Sequence, residues 1–471
     1  MHSNFYRGVV LLPLLLTAAS APAQNFTNLF IFNGTDGADP VSGLVLSSNT
    51  LYGTTFKGGT NGDGTVFAIN TDGTGFTNIH DFNGDDGSGP YGPLVLSGIV
   101  LYGTTSGGGS PNGAGPGTVF AVNTDGTGFT NLFIFTTTNN EANGATPIAG
   151  LVLSGNILYG TTELGGYDGE GALFAIQTDG SGFTNFYAAA SYPDGALCPH
   201  GGLVVSDNTL YGVMSQGGTS DDGTVFALNT DGTDFTNLYN FSALVPDVYD
   251  FRILYETNGD GDFPVATLML SGNTLFGTAY EGGTNSYGTV FKVNTDGTGF
   301  STLHNFMGGL TGAGLGGGSY PVGGLVLVGN TLYGTTSGGG TASGGGGSGT
   351  VFKVNTDGTG FTTLVGRGIN GQDLGYGSLG GLVLSGHTLY GTQLAGGSFD
   401  GSVFAVTLPP PSLSIQLING VVILNWNDPT STYSLQAAPN VGGVYTNLIG
   451  ATSPYTNFMT DSQVFFRLQS N

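Results

Sequence analysis

One phrase recurs seven times along this chain and limits what the chain can fold into. Its copies begin at Gly43 (GLVLSSNTLYGTT), Pro93, Gly150, Gly202, Thr267, Gly324 and Gly381. A second phrase, GTVFAIN at Gly64, follows each copy in similar form, and a third, NTDGTGFTNIHDF from Asn70, follows six of them. Self-similarity at intervals of this length is typical of arrays of one supersecondary unit.

Each repeat unit divides into four runs of strand length, named a to d here in chain order. Run a is LVLS, run b is TLYGTT, run c is TVFAVN and run d is FTNLYNF, and all four are rich in strand-forming residues. Asn and Gly fill many a–b joints, and Asp-Gly fills the c–d joints, which is hairpin chemistry. The pattern predicts an all-β protein built of four-stranded meanders, and a radial array of such sheets is a β-propeller.

The last unit lacks run d, and a copy of that run stands at the other end of the chain. The seventh unit ends after run c at Val406, whereas segment 25–32, NFTNLFIF, precedes the first run a. We therefore predict a seven-bladed β-propeller over residues 24–408, closed by the N-terminal strand 25–32, which completes the last blade. Closure would remove the two exposed edges that an open array keeps.

The flanking residues have a different character. Arg7, an apolar run over 9–16 and a small-residue site ending at Ala23 predict a signal peptide over residues 1–23. A stiff proline linker, 409–411, precedes residues 412–471, whose short alternating runs predict a small immunoglobulin-like β-sandwich with Trp426 as its core plug. No apolar segment is long enough for a transmembrane helix, so we expect a secreted, extracellular or cell-surface protein.

The repeated phrases, of the form GLVLSGNTLYGTT followed by GTVFAVNTDGTGFT, also carry a family resemblance. They resemble the GloVer tandem repeat of secreted bacterial proteins, found notably in Verrucomicrobia and Gloeobacter, and the resemblance covers roughly residues 25–406. It implies an exported protein whose repeat region is joined to one of several kinds of C-terminal anchor. It implies no known activity and supplies no catalytic residues.

The charge of the chain excludes some partners. With 31 acidic and 7 basic residues, the net charge is −24, and nucleic acid and anionic lipid both require Lys and Arg clusters. Most acidic residues fall in the b–c and d–a joints, which a meander brings to one face. Variable loops on a rigid frame favour binding, so we predict an acidic binding face there. Its candidate residues are Asp36, Asp39, Asp85, Asp86, Asp194, Asp221 and Asp222.

Two other interpretations of the acidic loops stay open. One is plain solvation of charged loops, and the other is binding of Ca²⁺, which takes several converging oxygen ligands. The candidate metal site is Asn258, Asp260 and Asp262, whose alternating oxygens resemble the start of a calcium loop without the Gly and the distant Glu of an EF-hand. The same oxygen spacing recurs from Asn70 in six c–d joints, where a structural turn explains it.

Catalytic motifs are scarce in the sequence. It contains no G-x-S-x-G elbow and no H-E-x-x-H pair, and its glycine runs lack the Gly-Lys-Ser/Thr of a phosphate loop. His80 and His304 occupy run d positions that hold Phe or Tyr in other units, which indicates a structural role. His200 lies near Cys198, the only cysteine, and a Cys–His couple is the one nucleophilic arrangement to test.

These observations favour a monomeric, non-enzymatic binding or scaffold protein whose partner is an extracellular glycan, protein or cation. Near-identical repeated units favour binding, because catalysis usually needs one asymmetric site. The alternative is a polysaccharide-active lyase or hydrolase that uses loop carboxylates as acid and base. Ca²⁺ is the only cofactor that the sequence suggests.

Overall fold

All regular structure that the computed structural model describes is β-strand. The structure describes residues 25–136, 143–166, 169–188, 196–249, 252–308, 317–340, 349–366, 377, 380–394, 400–409, 413–418, 421–426, 433–438, 443–458 and 464–470. The predicted signal peptide, 1–23, lies outside these residues, and so do residues 410 and 411 of the predicted linker. Within the described part of the chain, no helix is long and apolar enough to cross a membrane.

The repeats form four-stranded antiparallel sheets, and the described residues contain seven of them, numbered here by their a strands. Sheets 1 to 3 consist of Val45–Ser47, Thr50–Thr55, Thr65–Asn70 and Thr77–Asp81; of Val95–Ser97, Val100–Thr105, Thr118–Asn123 and Thr130–Ile134; and of Val152–Ser154, Ile157–Thr162, Ala172–Gln177 and Thr184–Ala188. Sheets 4 and 5 consist of Val204–Ser206, Thr209–Met214, Thr224–Asn229 and Thr236–Asn240; and of Met269–Ser271, Thr274–Ala279, Thr289–Asn294 and Ser301–Asn305. Sheets 6 and 7 consist of Val326–Val328, Thr331–Thr336, Thr350–Asn355 and Thr362–Gly366; and of Val383–Ser385, Thr388–Gln393, Ser402–Thr407 and Phe26–Ile31.

The N-terminal strand holds the d position of sheet 7. Phe26–Ile31 runs antiparallel to Ser402–Thr407, with Phe26 opposite Val406 and Ile31 opposite Ser402. A shift of register interrupts this pairing beside Phe404, and the same irregularity occurs beside the matching Phe in the other six sheets. Irregularities of this kind increase the local twist of a strand pair. The strand from the start of the chain therefore has the geometry of a d strand in detail.

Each sheet buries one Phe of strand c against a Gly of strand b. In sheet 1, Gly53 pairs with Phe67, which is completely buried. A Cβ atom on Gly53 would lie 2.6 Å from Phe67 Cζ and 2.8 Å from Leu44 Cδ2, so no larger residue fits. The equivalent phenylalanines are also completely buried: Phe120, Phe174, Phe226, Phe291, Phe352 and Phe404. This packing explains why the LYG phrase recurs.

Apolar clusters join each sheet to the next. Leu101 and Phe120 of sheet 2 pack with Val66 of sheet 1, and one further cluster combines Phe67 of sheet 1 with Val403 of sheet 7. Along strand b, Thr104 Oγ1 donates a hydrogen bond to the Ala149 carbonyl of the next sheet at 3.2 Å. The matching bond from Thr392 of sheet 7 reaches the Ser42 carbonyl, just before sheet 1, at 2.7 Å. Sheets 7 and 1 therefore contact each other as consecutive sheets do.

The d strands contribute a second set of contacts between sheets. An aromatic ring of one d strand stacks on the Phe that begins the next one, as in Phe30 on Phe76 at 3.7 Å between centroids. His304 occupies this position in sheet 5 and stacks on Phe361 at 3.5 Å, where burial lowers its pKa to about 4 and keeps the ring neutral. His80 stacks in the same way on Phe129. The structural interpretation of both histidines is confirmed.

Two regions depart from the simple repeat. The longest insertion, between sheets 4 and 5, contains a hairpin of Val245–Tyr249 and Arg252–Thr257, and short strands Ala196–Leu197 and Gln216–Gly217 pair nearby. The C-terminal segment forms two three-stranded sheets: Ser414–Ile418, Val421–Asn425 and Tyr455–Phe458, and Thr446–Asn447, Tyr433–Ala438 and Phe465–Ser470. Leu424 and Leu435 are buried there, whereas Trp426 is only half-buried. The role of Trp426 as the core plug of a sandwich therefore stays a prediction.

Candidate functional site

The loop face is the end of the sheets that carries the b–c and d–a joints. One position in each d–a joint has a positive φ of 53° to 68°, and it is held by Asp39, Gly89, Thr146, Cys198, Phe263, Tyr320 and Gly377. Phe263 illustrates its bonding, because its N–H donates to the Asp222 carbonyl and its own carbonyl accepts from Tyr280 N at 3.1 Å. A non-glycine residue in this conformation costs about 1–3 kcal/mol. Five repeats tolerate that strain to keep a side chain on the loop face.

Aromatic side chains gather on one part of this face. The ring of Phe263 lies 5.7 Å from His200 and 6.4 Å from Tyr280, measured between centroids. Tyr280 lies 5.1 Å from Tyr320. Tyr91 packs edge-on against the ring of Phe56, 5.8 Å away, and keeps 37% of its surface exposed. The aromatic surface thus combines Phe263 and Tyr320, which have positive φ, with Tyr91 and Tyr280, which do not.

Two connected cavities lie where the loops converge. The first cavity, of about 280 Å³, is lined by residues from all seven repeats, including Leu44, Pro93, Gly150, Gly202, Leu268, Leu325 and Leu382. The mouth pocket, of about 460 Å³, opens from it toward the loop face. Its walls are Val41, Tyr91, Ile148, Glu163, His200, Phe263, Val265, Tyr280 and Val322. This volume lies in the range of small-molecule sites, which are mostly apolar with a few placed polar groups.

His200 is the most constrained polar residue of the mouth pocket. Its Nδ1 lies 2.8 Å from Ser215 Oγ and its Nε2 lies 3.1 Å from Glu163 Oε1. The Ser215 hydroxyl donates to the Cys198 carbonyl at 3.1 Å, as the equivalent Ser106 and Ser337 donate to their own strained positions. Both ring nitrogens of His200 are therefore engaged within the protein, one with Ser215 and the other with Glu163. The pair fixes the Glu163 carboxylate at the pocket wall.

The Ser–His–Glu arrangement does not have the exposure that a nucleophile needs. Ser215 is completely buried, and its hydroxyl serves the same backbone bond as in two other repeats. Cys198 is no better suited, because burial first and then Glu170, Glu163 and Asp221 raise the pKa of its thiol. The Cys198 thiol contacts Glu170 and Gln216, whereas the ring of His200 contacts Ser215 and Glu163. The structure therefore does not support the Cys–His couple considered from the sequence.

Carboxylates surround the aromatic surface. Asp262 lies in a backbone bridge with Glu281, and burial, Asp222, Glu281 and Asp221 together raise the pKa of Asp262 to about 7. Tyr280 is affected in the same direction, because burial and then Glu281 raise the pKa of its hydroxyl. For Tyr91 the causes are burial, Glu163 and Tyr280. The loop face around sheets 3 to 5 thus has a strongly negative potential.

The candidate metal site coincides with a structural loop of the repeat. Asp36 accepts the backbone N–H of Asn33 at 2.9 Å, and Asp86 accepts that of Asn83 at 3.0 Å. Asp260 does the same for Ser242 at 2.9 Å, and it also accepts hydrogen bonds from the Tyr239 and Ser242 hydroxyls. These three acids therefore cap the end of a d strand, which is a structural role.

The other two members of the triplet are also engaged. Asn258 Oδ1 accepts backbone N–H groups of Gly261 and Gly283 at 2.9 Å each, and Asp262 belongs to the acidic surroundings of Asp222 and Glu281. Among the described residues, no three Asp, Glu, His or Cys side chains are grouped so that they could hold a metal ion. Metal binding at Asn258, Asp260 and Asp262 stays a prediction for measurement.

The six c–d turns have the structural role expected for them. Asp125 Oδ1 accepts the N–H of Thr127 at 2.9 Å and its hydroxyl at 2.6 Å, and these bonds lower the pKa of Asp125. The same bonds recur in the other five turns, formed by Asp72, Asp179, Asp231, Asp296 and Asp357. The alternating oxygens of this motif close a turn.

The remaining predicted residues of the acidic face do not form one group. Asp39 pairs with Lys57 at 3.0 Å, and Asp85 accepts the N–H of Asn112. Asp221 accepts the N–H of Gly217 at 2.9 Å, and with the buried Asp222 it lies in the acidic surroundings of Asp262. Asp194 lies outside the described residues. The structure thus brings together only the pair from sheet 4.

Among the residues that line the mouth pocket, His200 alone was singled out from the sequence, and only as a partner of Cys198. Glu163 and Tyr280 follow strand b directly, at a position that holds Phe56, Ser106, Ser215, Ser337 and Leu394 in the other repeats. His200, Tyr91 and Val265 likewise share a position just before strand a. Aligning the seven repeats and looking for variation between constant phrases would have selected these positions.

Comparison with known families identifies the repeat. The model of the Gloeobacter/Verrucomicrobia repeat matches residues 17–198, 113–250 and 196–346, which overlap across most of the chain. The chain belongs to the Gloeobacter/Verrucomicrobia repeat family. In this Gloeobacter/Verrucomicrobia repeat protein, the matched residues include every residue found to line the mouth pocket. A search of curated proteins finds no match.

Solved structures share the fold at low sequence identity. An oligogalacturonate lyase from Vibrio parahaemolyticus is 9% identical, with a TM-score of 0.50, over 82% of this chain and 97% of that one. The GH74 enzyme of Niastella koreensis is 16% identical, with a TM-score of 0.47, over 89% of this chain and 60% of that one. The first likeness supports an all-β, propeller-like fold for the repeat protein and indicates nothing about its activity.

Proposed function

We propose that this repeat protein is an exported, closed seven-bladed β-propeller that binds an extracellular ligand in its mouth pocket. The observation that carries the proposal is the pocket itself, of about 460 Å³, with apolar and aromatic walls and the fixed Glu163 carboxylate. Loops on a rigid frame and a largely apolar concavity are the common features of binding sites.

Closure of the seven sheets into one ring is supported by three independent contacts. The N-terminal strand pairs with Ser402–Thr407, an apolar cluster joins sheets 7 and 1, and the Thr392 hydroxyl reaches the Ser42 carbonyl. A cavity bordered by all seven repeats also fits an axis of radial symmetry. A ring of this kind positions the seven loop sets around one opening, which gives the pocket its asymmetric walls.

A binding role fits the site better than the polysaccharide-active alternative. Glycoside hydrolysis commonly uses two carboxyl groups on either side of the scissile bond, whereas Glu163 is the one acidic residue among the described residues that line the pocket. The buried Ser215 and the Cys198 thiol, whose pKa is raised, supply no ready nucleophile. We therefore propose a non-enzymatic receptor or scaffold.

Export and oligomeric state are part of the same proposal. We propose that residues 1–23 direct secretion and are removed after Ala23, and that the mature chain is a monomer in the medium or at the cell surface. N-terminal sequencing of the exported protein should read Gln24 first, and an intact Met1 would contradict export by this route. Light scattering should give the mass of one chain, and a dimer mass would contradict the monomer.

The binding function can be tested with a panel of extracellular ligand classes. Purified mature protein would be heated with neutral glycans, acidic glycans, organic amines and Ca²⁺, and each melting temperature would be compared with that of Tyr280→Leu. We expect one organic class to raise the melting temperature of the native protein and not of the variant. Sugar release from any glycan would contradict the non-enzymatic role, and a panel without any shift would contradict binding at the mouth.

A further inference from the structure

The walls of the mouth pocket offer π faces and a carboxylate but few hydrogen-bond donors. Tyr91, Phe263 and Tyr280 supply aromatic surface, and four aliphatic side chains supply the rest of the apolar wall. His200 uses both ring nitrogens on Ser215 and Glu163, so both are engaged within the protein. The residues lining the pocket include neither Lys nor Arg. An anionic ligand would therefore find no Lys or Arg to pair with there.

Glu163 is placed to act as the charged partner of a ligand. The bond to His200 holds Oε1 at 3.1 Å, yet 31% of the Glu163 side-chain surface stays exposed. The carboxylates of Asp221, Asp222 and Glu281 add negative potential around sheets 4 and 5, as their effect in raising the pKa of Asp262 indicates. Because a low-dielectric cleft focuses such a field, cations would concentrate at the opening.

The protein already contains one small example of this recognition at the edge of the loop face. The Lys57 ammonium lies 3.0 Å from the Asp39 carboxylate and 5.8 Å from the centroid of Phe56. Phe56 in turn packs against Tyr91 of the mouth pocket. A carboxylate and an aromatic face thus bind an ammonium group within the chain itself.

We propose that the mouth pocket binds an alkylated ammonium group, with its positive charge beside Glu163 and its alkyl groups against Tyr91, Phe263 and Tyr280. Aromatic faces attract such cations through their quadrupole, and alkyl groups on the nitrogen reduce its need for water. A neutral glycan would require several donors and acceptors, whereas these walls present chiefly carbon. The inference rests on the proposed binding function and names its ligand class.

Calorimetry with choline tests this class of ligand. The control ligand is dimethylbutanol of the same shape, in which carbon replaces the charged nitrogen. We expect choline to bind at least about tenfold more tightly than the neutral isostere, and its affinity to fall as salt is raised. Equal affinity for the two compounds would overturn the proposal, because charge would then play no part.

Variants separate the pocket from the rest of the face. Glu163→Gln and Tyr91→Leu should each weaken choline binding about tenfold. Glu170→Gln, an acid near Cys198 that is not among the residues lining the pocket, should change it less than about twofold. Tyr91 is partly exposed, so its variant should keep the native melting temperature even if Glu163→Gln does not. Unchanged affinity in both pocket variants would overturn the proposal.

A further experiment identifies the source of the ammonium group. It also separates failure of the ammonium proposal from failure of the proposed binding function. A peptide carrying trimethyl-lysine is compared with free choline, and tighter binding of either one identifies the source. If neither binds but a neutral glycan binds and Tyr280→Leu abolishes it, the ammonium proposal is overturned while the binding function stands. If no ligand class binds, both are overturned.

Discussion

The two ends of the sheets follow opposite rules. At the end with the c–d joints, six turns repeat one hydrogen-bonded arrangement of an Asp with a Thr or, in one turn, a Ser. At the loop face, the position before strand a holds Val41, Tyr91, Ile148, His200, Val265 and Val322. The turn positions have similar residues and the same contacts in each repeat. The positions before strand a correspond in the alignment of the repeats but hold different residues.

This difference separates what builds the frame from what can be specific. The Gly–Phe pairs satisfy the same local requirement in all seven sheets, and the c–d turns do so in six, so their repetition follows from packing. Packing does not explain the strained residues Phe263 and Tyr320, because they occupy a conformation that glycine holds in sheets 2 and 7. Such strain persists where surrounding structure holds it in place, and it concentrates at functional sites.

The largest loss of stability should come from removing the N-terminal strand, which pairs with the last sheet. Deleting residues 25–32 removes the completely buried Phe32 and exposes the edge of Ser402–Thr407. We expect the melting temperature to fall by about 10 °C or more. Differential scanning calorimetry measures it, with Ile31→Ser, which alters a side chain that is 45% exposed, as the control. An unchanged melting temperature would contradict ring closure.

A methyl group on the strand b glycine should be costly in every sheet alike. In Gly103→Ala, the new Cβ would lie 2.5 Å from Phe120 Cζ, and in Gly391→Ala it would lie 2.6 Å from Phe404 Cζ. We expect each variant to lose about 1–3 kcal/mol of unfolding free energy, measured in denaturant. Gly259→Ala, on the loop face with no atom within 4 Å of the new Cβ, should be neutral. Unequal losses in the two sheets would weaken the idea of an equivalent frame.

Asp262→Asn should stabilise the folded protein at alkaline pH and leave its stability unchanged at acid pH. The folded pKa of about 7 lies above the ordinary value of 3.8, so the folded state binds the extra proton, and stability is lost as pH rises through this interval. The variant should gain about 1 kcal/mol over the native protein at pH 8, after allowance for solvent screening, and nothing at pH 4. Thermal unfolding at both pH values measures the gain, and the exposed Asp207→Asn is the control. An equal gain at pH 4 would contradict this explanation.

Relief of backbone strain should stabilise the loop face. Thr146 has a φ of 55°, and the equivalent residue of sheet 2 is Gly89. Thr146→Gly should raise the unfolding free energy by a little under 1 kcal/mol, since relief of strain exceeds the entropy cost of glycine. The reciprocal Gly89→Thr should lower it, because a Cβ there would lie 2.7 Å from Phe56 Cε2. A loss of stability in Thr146→Gly would contradict the strain argument.

The smallest effect should come from a single c–d turn. Asp125→Ala removes the acceptor of the two Thr127 bonds, and the melting temperature should fall by about 1 °C. The lowered pKa of Asp125 means that its contribution is present above its ordinary value and is lost as pH falls. Asp125→Asn keeps the acceptor and should stay closer to the native protein across the pH range. A larger fall at pH 3 than at pH 7 would contradict this assignment.

The sequence predicted the frame well because the frame repeats. Strand order, hairpin joints and the pairing partner of segment 25–32 were all readable from copies of one phrase. The structural roles of His80 and His304 followed from the same alignment, since each replaced an aromatic ring. Because the seven repeats pack in the same way, the role of a residue in one repeat predicts the role of its equivalent in the others.

The mouth pocket could not be predicted in the same way. Tyr91, Glu163 and Phe263 are far apart in sequence, and each stands where the repeats disagree. The acidic spacing of Asn258, Asp260 and Asp262 suggested a metal loop because the insertion before it hid its equivalence to the loops of Asp36 and Asp86.

The pairing of the first strand with the last sheet has a consequence for biogenesis. Asn28 and Ser402, which share a hydrogen bond, are separated by 374 positions, so strand Phe26–Ile31 meets its partner only after the intervening chain has been synthesised. Contacts of such separation slow folding. During that time strand Phe26–Ile31 is free to pair with the Ser402–Thr407 strand of another copy, and crowded chains would then be linked through swapped strands.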